Sequence, residues 1–279
     1  MIRIAFYGKG GIGKSTVAAN VSAALALGGR RVLHIGCDPK ADSARLLTEM
    51  RIPTVLEQLA AKGKAVIRED LVFPGLHGVS CVESGGPQAG KGCAGLGITA
   101  MQEELNRLGI LEEPWDAVVY DVLGDVVCGG FAVPIRKRYA ERVYVVASGE
   151  YMALYAANNI LRCVRDCSAD GEARLGGLIL NRCTDETDIR IGKRFAQRTN
   201  CSLAAAIPVS REIRACDYGK KCVVSEYPES AAALALNSLV KQILSNQNAA
   251  CPVPMEAGEL EAFGDSLAEL GACASEVTG

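Results

Sequence analysis

The chain lacks several features that usually reveal a function. No two of its twelve cysteines are spaced C-x-x-C, which argues against a zinc ribbon and against a thioredoxin-type redox dithiol. No apolar run reaches the roughly 18 residues needed to cross a bilayer. Met1 leads into the first apolar segment with no h-region before it, so no signal peptide is expected. The formal net charge is −2, and no global basic field points to nucleic acid. No stretch rich in proline, glycine or serine divides the chain, and there is no internal repeat. The expectation is a soluble, cytoplasmic protein with neither nucleic-acid nor membrane partners. Thiols stay reduced in that compartment, so most of the cysteines read as small buried hydrophobes.

What the chain does have begins at its first residues. Ile2 to Tyr7 is a short apolar strand. It runs into Gly8-Lys9-Gly10-Gly11-Ile12-Gly13-Lys14-Ser15-Thr16, which matches G-x-x-x-x-G-K-[ST], and an alanine-rich helical segment follows from Val17 to Leu27. Strand, glycine loop and helix form the context that gives this motif its meaning. Backbone N–H groups, a helix N-terminus and Lys14 together answer the charge of a triphosphate. Glycines let the backbone come close to the phosphates, and the Ser15 hydroxyl is suited to Mg²⁺. Lys9 adds a second cation beside the phosphates. It could serve its own nucleotide or, across a dimer, the neighbour's, as an arginine finger does.

The 279 residues suit one large α/β domain or two small ones. Further apolar strands are predicted at 31–36, 78–82, 115–121, 142–147, 175–181 and 202–207. Helices are predicted at 100–108, 152–167, 189–198 and 231–247. Near-continuous Val/Ile/Leu strands between helices indicate a parallel sheet covered on both sides. The expected fold is therefore a single P-loop NTPase domain, with a mostly parallel sheet of about seven to eight strands and helices on both faces. That domain should span 1–248. Residues 249–279 form a tail whose amphipathic stretch, 255–270, reads either as a last helix or as an arm on a partner subunit.

Three loops carry the other candidate residues. Gly36-Cys37-Asp38-Pro39-Lys40-Ala41-Asp42-Ser43 follows the second strand, at the sheet edge where α/β folds bind ligands. Asp38, Lys40 and Asp42 are placed there to position water and Mg²⁺. Asp121 closes the strand 115–121 and is a Walker-B-like outer ligand of Mg²⁺, with Asp125 four residues on. Cys93 and Cys128 stand apart from the other cysteines because both sit in glycine-rich loops. Glycine lets a backbone wrap an inorganic cluster and offer N–H groups to its sulfurs. One [4Fe–4S] cluster needs four thiolates, and a two-fold dimer would supply four from two such pairs. Cys128 lies three residues beyond Asp125, so the nucleotide and metal sites share a segment.

Y-G-K-G-G-I-G-K-S-T, G-C-D-P-K-A-D-S, V-E-S-G-G-P, G-C-A-G, Y-D-V-L-G-D-V-V-C-G-G-F-A, S-G-E-Y-M-A-L-Y-A-A-N-N-I and R-L-G-G-L-I-L-N occur in order over about residues 1 to 230. With them the chain resembles the nitrogenase iron protein family, which includes the iron proteins of dark protochlorophyllide reduction and of F430 synthesis. The resemblance implies a homodimer with one bridging [4Fe–4S] cluster held by Cys93 and Cys128. Such a dimer uses MgATP to pass single electrons from a ferredoxin or flavodoxin to a larger nitrogenase-like catalytic component. It further implies that Lys9, Lys14, Ser15 and Thr16 serve phosphate and magnesium, that Asp38 positions or activates water, and that Lys40 is a phosphate contact in trans. Asp42 becomes a switch residue, Asp121 and Asp125 belong to a second switch, with Asp121 reaching Mg²⁺ through water, and Asn181 contacts adenine.

The chain departs from the family pattern in three places. Leu96 stands three residues after Cys93, where familiar members have an arginine that some of them ADP-ribosylate. That regulation is not expected here, and an unusual partner is. Val209-Ser210-Arg211 replaces a Pro-Arg-Asp run near the base. Cys163, Cys167, Cys183, Cys201, Cys216, Cys222, Cys251 and Cys273 lie outside the family's ligand set. Two other readings share the P-loop: a partition or positioning ATPase without redox chemistry, and an Fe–S scaffold or metal insertase. The first needs no glycine-flanked cysteine pair, and the second typically carries a C-x-x-C.

Overall fold

The computed structural model describes residues 1–86, 94–124, 133–168, 174–245 and 249–275. In chain order the elements are β1 (Ile2–Gly8), α1 (Lys14–Leu27), β2 (Val32–Gly36), α2 (Arg45–Thr48), α3 (Val55–Lys62), β3 (Phe73–Pro74), β4 (Ser80–Glu83), α4 (Ala94–Arg107), β5 (Ala117–Asp121), α5 (Val133–Arg136), β6 (Arg142–Ala147), α6 (Tyr151–Cys167), β7 (Leu175–Cys183), α7 (Glu186–Arg198), β8 (Leu203–Pro208), α8 (Arg211–Gly219), α9 (Val223–Glu226), α10 (Ala231–Ser245) and α11 (Ala257–Ser275).

The eight strands form one sheet in the order β3-β4-β2-β5-β1-β6-β7-β8. All neighbours are parallel except the two-residue edge strand β3, which pairs antiparallel with β4. Strand period decides which residues meet which layer. Along β1, Ala5 and Tyr7 enter one core with Leu154, Ala157 and Ile160 of α6, while Ile4 and Phe6 enter the other with Val17 and Val21 of α1 and Leu236 of α10. Both faces are dry, which is why the central strands read as unbroken apolar runs. Each fully buried Ile, Leu or Phe side chain contributes roughly 1.5–3 kcal/mol.

The predicted helices are present with shifted ends. α4 begins at Ala94 rather than Ala100, and α3, α8 and α9 arise in segments where no helix was expected. The amphipathic tail forms α11 and folds onto its own chain. Asn158 and Met255 exchange two hydrogen bonds of 2.8 Å, Arg198 pairs with Glu259 at 2.6 Å, and Phe195 meets Phe263 edge-on with centroids 6.0 Å apart. Among the described residues no helix is long and apolar enough to cross a membrane.

Candidate functional site: a glycine loop flanked by two acidic loops

The sheet order brings the site together. β2, β5 and β1 are adjacent, and in register Asp121 faces Gly36 on one side and Phe6 on the other. The loops that leave the carboxyl ends of these strands therefore meet at one edge, where a doubly wound sheet binds its ligand.

The glycine loop leaves β1 and turns through Gly13, whose backbone is left-handed (φ 92°). A Cβ there would overlap the Asn181 amide, so only glycine fits. α1 starts directly after it with no side-chain cap. Its first N–H groups are left for an external acceptor, a cradle shaped for phosphate. Asn181, near the end of β7, donates from Nδ2 to the Ile12 carbonyl at 2.8 Å and ties the loop to a strand two places away in the sheet.

Lys14 and Asp121 form a buried ion pair, with side chains 7% and 0% exposed. Ser43 Oγ donates to Asp121 Oδ2 at 2.5 Å. Burial by itself would raise the Asp121 carboxyl. The Lys14 ammonium, with hydrogen bonds from Ser15 and Ser43, outweighs it and holds the group below its ordinary value. A carboxylate kept ionised beside a P-loop hydroxyl is the donor set a hard cation needs, so the residues fit Mg²⁺.

In the loop after β2, Asp38 is buried and accepts the Lys40 N–H at 2.9 Å, while Lys40 and Asp42 are exposed. Burial raises the Asp38 carboxyl, the Lys40 N–H opposes it, and Asp42 adds repulsion. Lys9 is half-buried on the P-loop. A cavity of about 420 Å³ opens beside the P-loop, lined by Gly13, Thr16, Asn181, Pro208, Val209 and Arg214. The altered 209–211 segment thus borders the same space as Asn181.

Asp125, Cys93 and Cys128 lie outside the described residues. Their described flanks are informative. Ala94, next to Cys93, opens α4. Gly124 packs so close to the P-loop that a Cβ on it would overlap the Gly8 carbonyl oxygen. Burial pushes Cys163 and Cys222 up to about 12, and Cys222 Sγ donates to the Leu46 carbonyl at 3.6 Å. Among the described residues no three His, Cys, Asp or Glu side chains are grouped to hold a metal.

Three site residues were assigned no role from the sequence. Glu83 closes β4, and its Oε1 accepts the Ala44 N–H at 2.6 Å. Ser43 bonds Asp121, and His34 lies behind Ser43. A histidine between Leu33 and Ile35, and a carboxylate ending an apolar strand, were the signals that could have revealed two of them.

The family described as "4Fe-4S iron sulfur cluster binding proteins, NifH/frxC family" matches residues 2–269. Nitrogenase iron protein 2 of Methanothermobacter thermautotrophicus is 46% identical over 263 residues, covering 94% of this chain and 97% of the relative. The nitrogenase iron protein of Methanospirillum hungatei is 45% identical over 265 residues, 94% of each. Among solved structures, the septum site-determining protein MinD of Pyrococcus horikoshii, complexed with Mg-ADP, superposes with a TM-score of 0.69 at 23% identity, covering 87% of this chain and 95% of that one. That likeness establishes the fold alone.

Proposed function

The chain belongs to the NifH/frxC family of 4Fe-4S iron sulfur cluster binding proteins, and on that footing we propose that it is an ATP-dependent one-electron reductase working as a homodimer. Cys93 and Cys128 of each subunit hold one shared [4Fe–4S] cluster. A ferredoxin or flavodoxin loads it, and a nitrogenase or nitrogenase-like component receives the electron. Bound, the cluster would store and release single electrons, and Mg²⁺ would neutralise phosphate charge.

The chain's own residues divide the work. The loop from Gly8 through Gly10, Gly11, Ile12 and Gly13 wraps phosphate with its N–H groups, and Lys14 adds charge. Ser15 and Asp121 hold Mg²⁺, the latter through water, with Thr16 beside them. Lys9 meets the phosphates, and Lys40 reaches the neighbour's nucleotide. Asp38 orients the attacking water. Asp42 and Asp125 carry the response into their loops, and Asn181 borders the base.

The observation that carries this reading is the contact of Gly124 with the Gly8 carbonyl. The P-loop meets Gly124, four residues before Cys128 in the sequence, so a change at the phosphates reaches the segment that leads to the cysteine. Anaerobic purification tests the reading. The expected product is a brown dimer with about four iron atoms per dimer, whose iron becomes accessible to a chelator when MgATP is added. An iron-free protein that still hydrolyses ATP would turn the assignment toward the positioning ATPases.

A further inference from the structure

The core beneath the P-loop holds a single histidine, His34. It sits in the middle of β2 and is completely buried. Its Nδ1 is 2.9 Å from Ser22 Oγ of α1, and its Nε2 is 2.9 Å from Ser43 Oγ. Ser43 Oγ is in turn 2.5 Å from Asp121 Oδ2. Ser22, His34, Ser43 and Asp121 are all buried.

The proton positions follow from the Asp121 end. An ionised carboxylate only accepts, so the Ser43 hydroxyl donates to it. That hydroxyl has one proton. Toward His34 it is therefore an acceptor, and Nε2 must carry the hydrogen. Burial keeps the ring neutral, with its pKa lowered to about 4, so Nδ1 is bare and accepts from the Ser22 hydroxyl. Each group has one role, in the order Ser22 to His34 to Ser43 to Asp121.

We propose that His34 is a positioning residue for the nucleotide-metal site: it holds the Ser43 hydroxyl in the rotation that directs its proton at Asp121 Oδ2, and so fixes the carboxylate with Oδ1 toward the P-loop. This rests on the ATP-dependent reading above. Three donors hold the Asp121 carboxylate, Lys14, Ser15 and Ser43, and they differ in permanence. On the reading above, Lys14 belongs to the phosphate cradle and Ser15 to the Mg²⁺ donors, so both have another partner when nucleotide binds. Ser43 remains. Its loop end is pinned twice, by His34 at Ser43 and by Glu83 at Ala44, while Lys40 and Asp42 are exposed. His34 supplies the rigid footing, because it stands on a central strand. Outer-shell partners that orient a metal-holding carboxylate typically change metal affinity by tenfold or more. A histidine that merely satisfied the core would alter stability and leave the metal requirement untouched.

The test compares His34→Leu, His34→Gln, Ser43→Ala and the double variant His34→Leu/Ser43→Ala in the purified dimer. Calorimetry measures ADP binding over a range of Mg²⁺ concentrations and again in EDTA. His34→Leu is expected to raise the Mg²⁺ needed for half-saturation by about tenfold and to leave ADP affinity in EDTA unchanged. His34→Gln offers an amide N–H to Ser43 and should recover most of the loss. His34→Leu should add nothing on a Ser43→Ala background, the signature of residues acting as one unit. Nitrogen-15 spectra give an independent readout, because the chain has only two histidines and the other, His77, is exposed. His34 should show a protonated Nε2 and a bare Nδ1 across neutral pH. An unchanged Mg²⁺ requirement in His34→Leu, equal impairment in His34→Gln, or an Nδ1–H tautomer would each overturn the inference. Wild-type protein that binds no ADP at all would defeat the nucleotide reading and the inference together. Normal wild-type binding with an unaffected His34→Leu would defeat the inference alone.

Discussion

Replacing Glu83 by glutamine probes how the loop after β2 is anchored. Glu83 is 1% exposed, and its Oε2 has no hydrogen-bond partner. Oε2 lies against Gly36, where there is no room for a side chain. Burial raises its carboxyl, the Ala44 N–H opposes, and repulsion from Asp121, Asp42 and Asp38 adds to the rise, from an ordinary 4.5 to about 8. The folded protein therefore keeps a proton on Glu83 through neutrality, while the unfolded chain releases it near 4.5. A raised folded pKa means that the stability contribution is fully present below the unfolded value and is lost as pH climbs toward the folded one. Each pH unit in that window removes about 1.4 kcal/mol. Between pH 4.5 and 7 the loss is roughly 3 kcal/mol, and it levels off near pH 8 at roughly 4–5 kcal/mol.

Glutamine has the same shape, accepts the Ala44 N–H on its Oε1, and ionises in neither state. Glu83→Gln and the wild type should be nearly equal in stability at the acid end of this window. The variant should gain with rising pH, by about 3 kcal/mol at neutrality. For a chain of this size each kcal/mol moves the midpoint by roughly 2–4 °C. Parallel thermal melts of the nucleotide-free dimer, followed by circular dichroism from mildly acid to mildly alkaline buffer, read the difference directly. Two curves separated by a constant amount at every pH, or a variant that loses ground as pH rises, would refute the reasoning.

Two further substitutions address the P-loop. Gly124→Ala puts a methyl group onto the Gly8 carbonyl oxygen, and because neither backbone can yield freely the overpacking should cost about 1–3 kcal/mol. Nucleotide binding should weaken by roughly ten- to a hundredfold, and MgATP should no longer expose the iron to a chelator; unchanged ADP calorimetry would show that the two loops do not depend on each other. Asn181→Ala removes the 2.8 Å bond to the Ile12 carbonyl, a loss of about 1–3 kcal/mol, so ATP should bind roughly tenfold more weakly and its preference over GTP should shrink. Competition between the two nucleotides measures this, and an unaltered ratio would remove Asn181 from base recognition.

Most of the fold was legible because its signals are local. The central strands are continuous apolar runs, and the P-loop lies between a strand and a helix, so the sheet and its binding edge followed from pattern alone. α3 was missed although Thr54-Val55-Leu56-Glu57 is a capping box, realised by Glu57 N to Thr54 Oγ1 at 3.2 Å and Thr54 N to Glu57 Oε2 at 2.9 Å. α8 likewise has its cap in Ser210, which accepts the Ile213 N–H at 3.1 Å. Both are short, at 8 and 9 residues, so a 3.6-residue repeat has little length in which to show itself. In the site, Lys14 and Asp121 were legible because each belongs to a motif. Their pairing was not, since 107 residues separate them and only the β1–β5 register brings them together. His34, Ser43 and Glu83 take their meaning from partners on other elements: Ser22 of α1 and Ser43 for His34, Asp121 of β5 for Ser43, and Ala44 in the loop after β2 for Glu83.

That pairing also limits what nucleotide can do to this protein. A ligand shifts a conformational equilibrium only by the difference in its interactions with the two states. Lys14 is paired with a buried carboxylate, and stripping one partner from such a pair costs about 3–5 kcal/mol. Phosphate oxygens must repay that loss before any surplus can move a loop. Triphosphate offers more oxygens to Lys14 than diphosphate does, so its surplus is larger, and the two nucleotides become distinguishable at one ammonium. On the proposed reading, Asp121 parted from Lys14 is still held at Oδ2 by Ser43, and its Oδ1 keeps its direction. The proposed switch therefore depends less on the strength of the P-loop's grip than on how firmly the carboxylate is held when its lysine leaves.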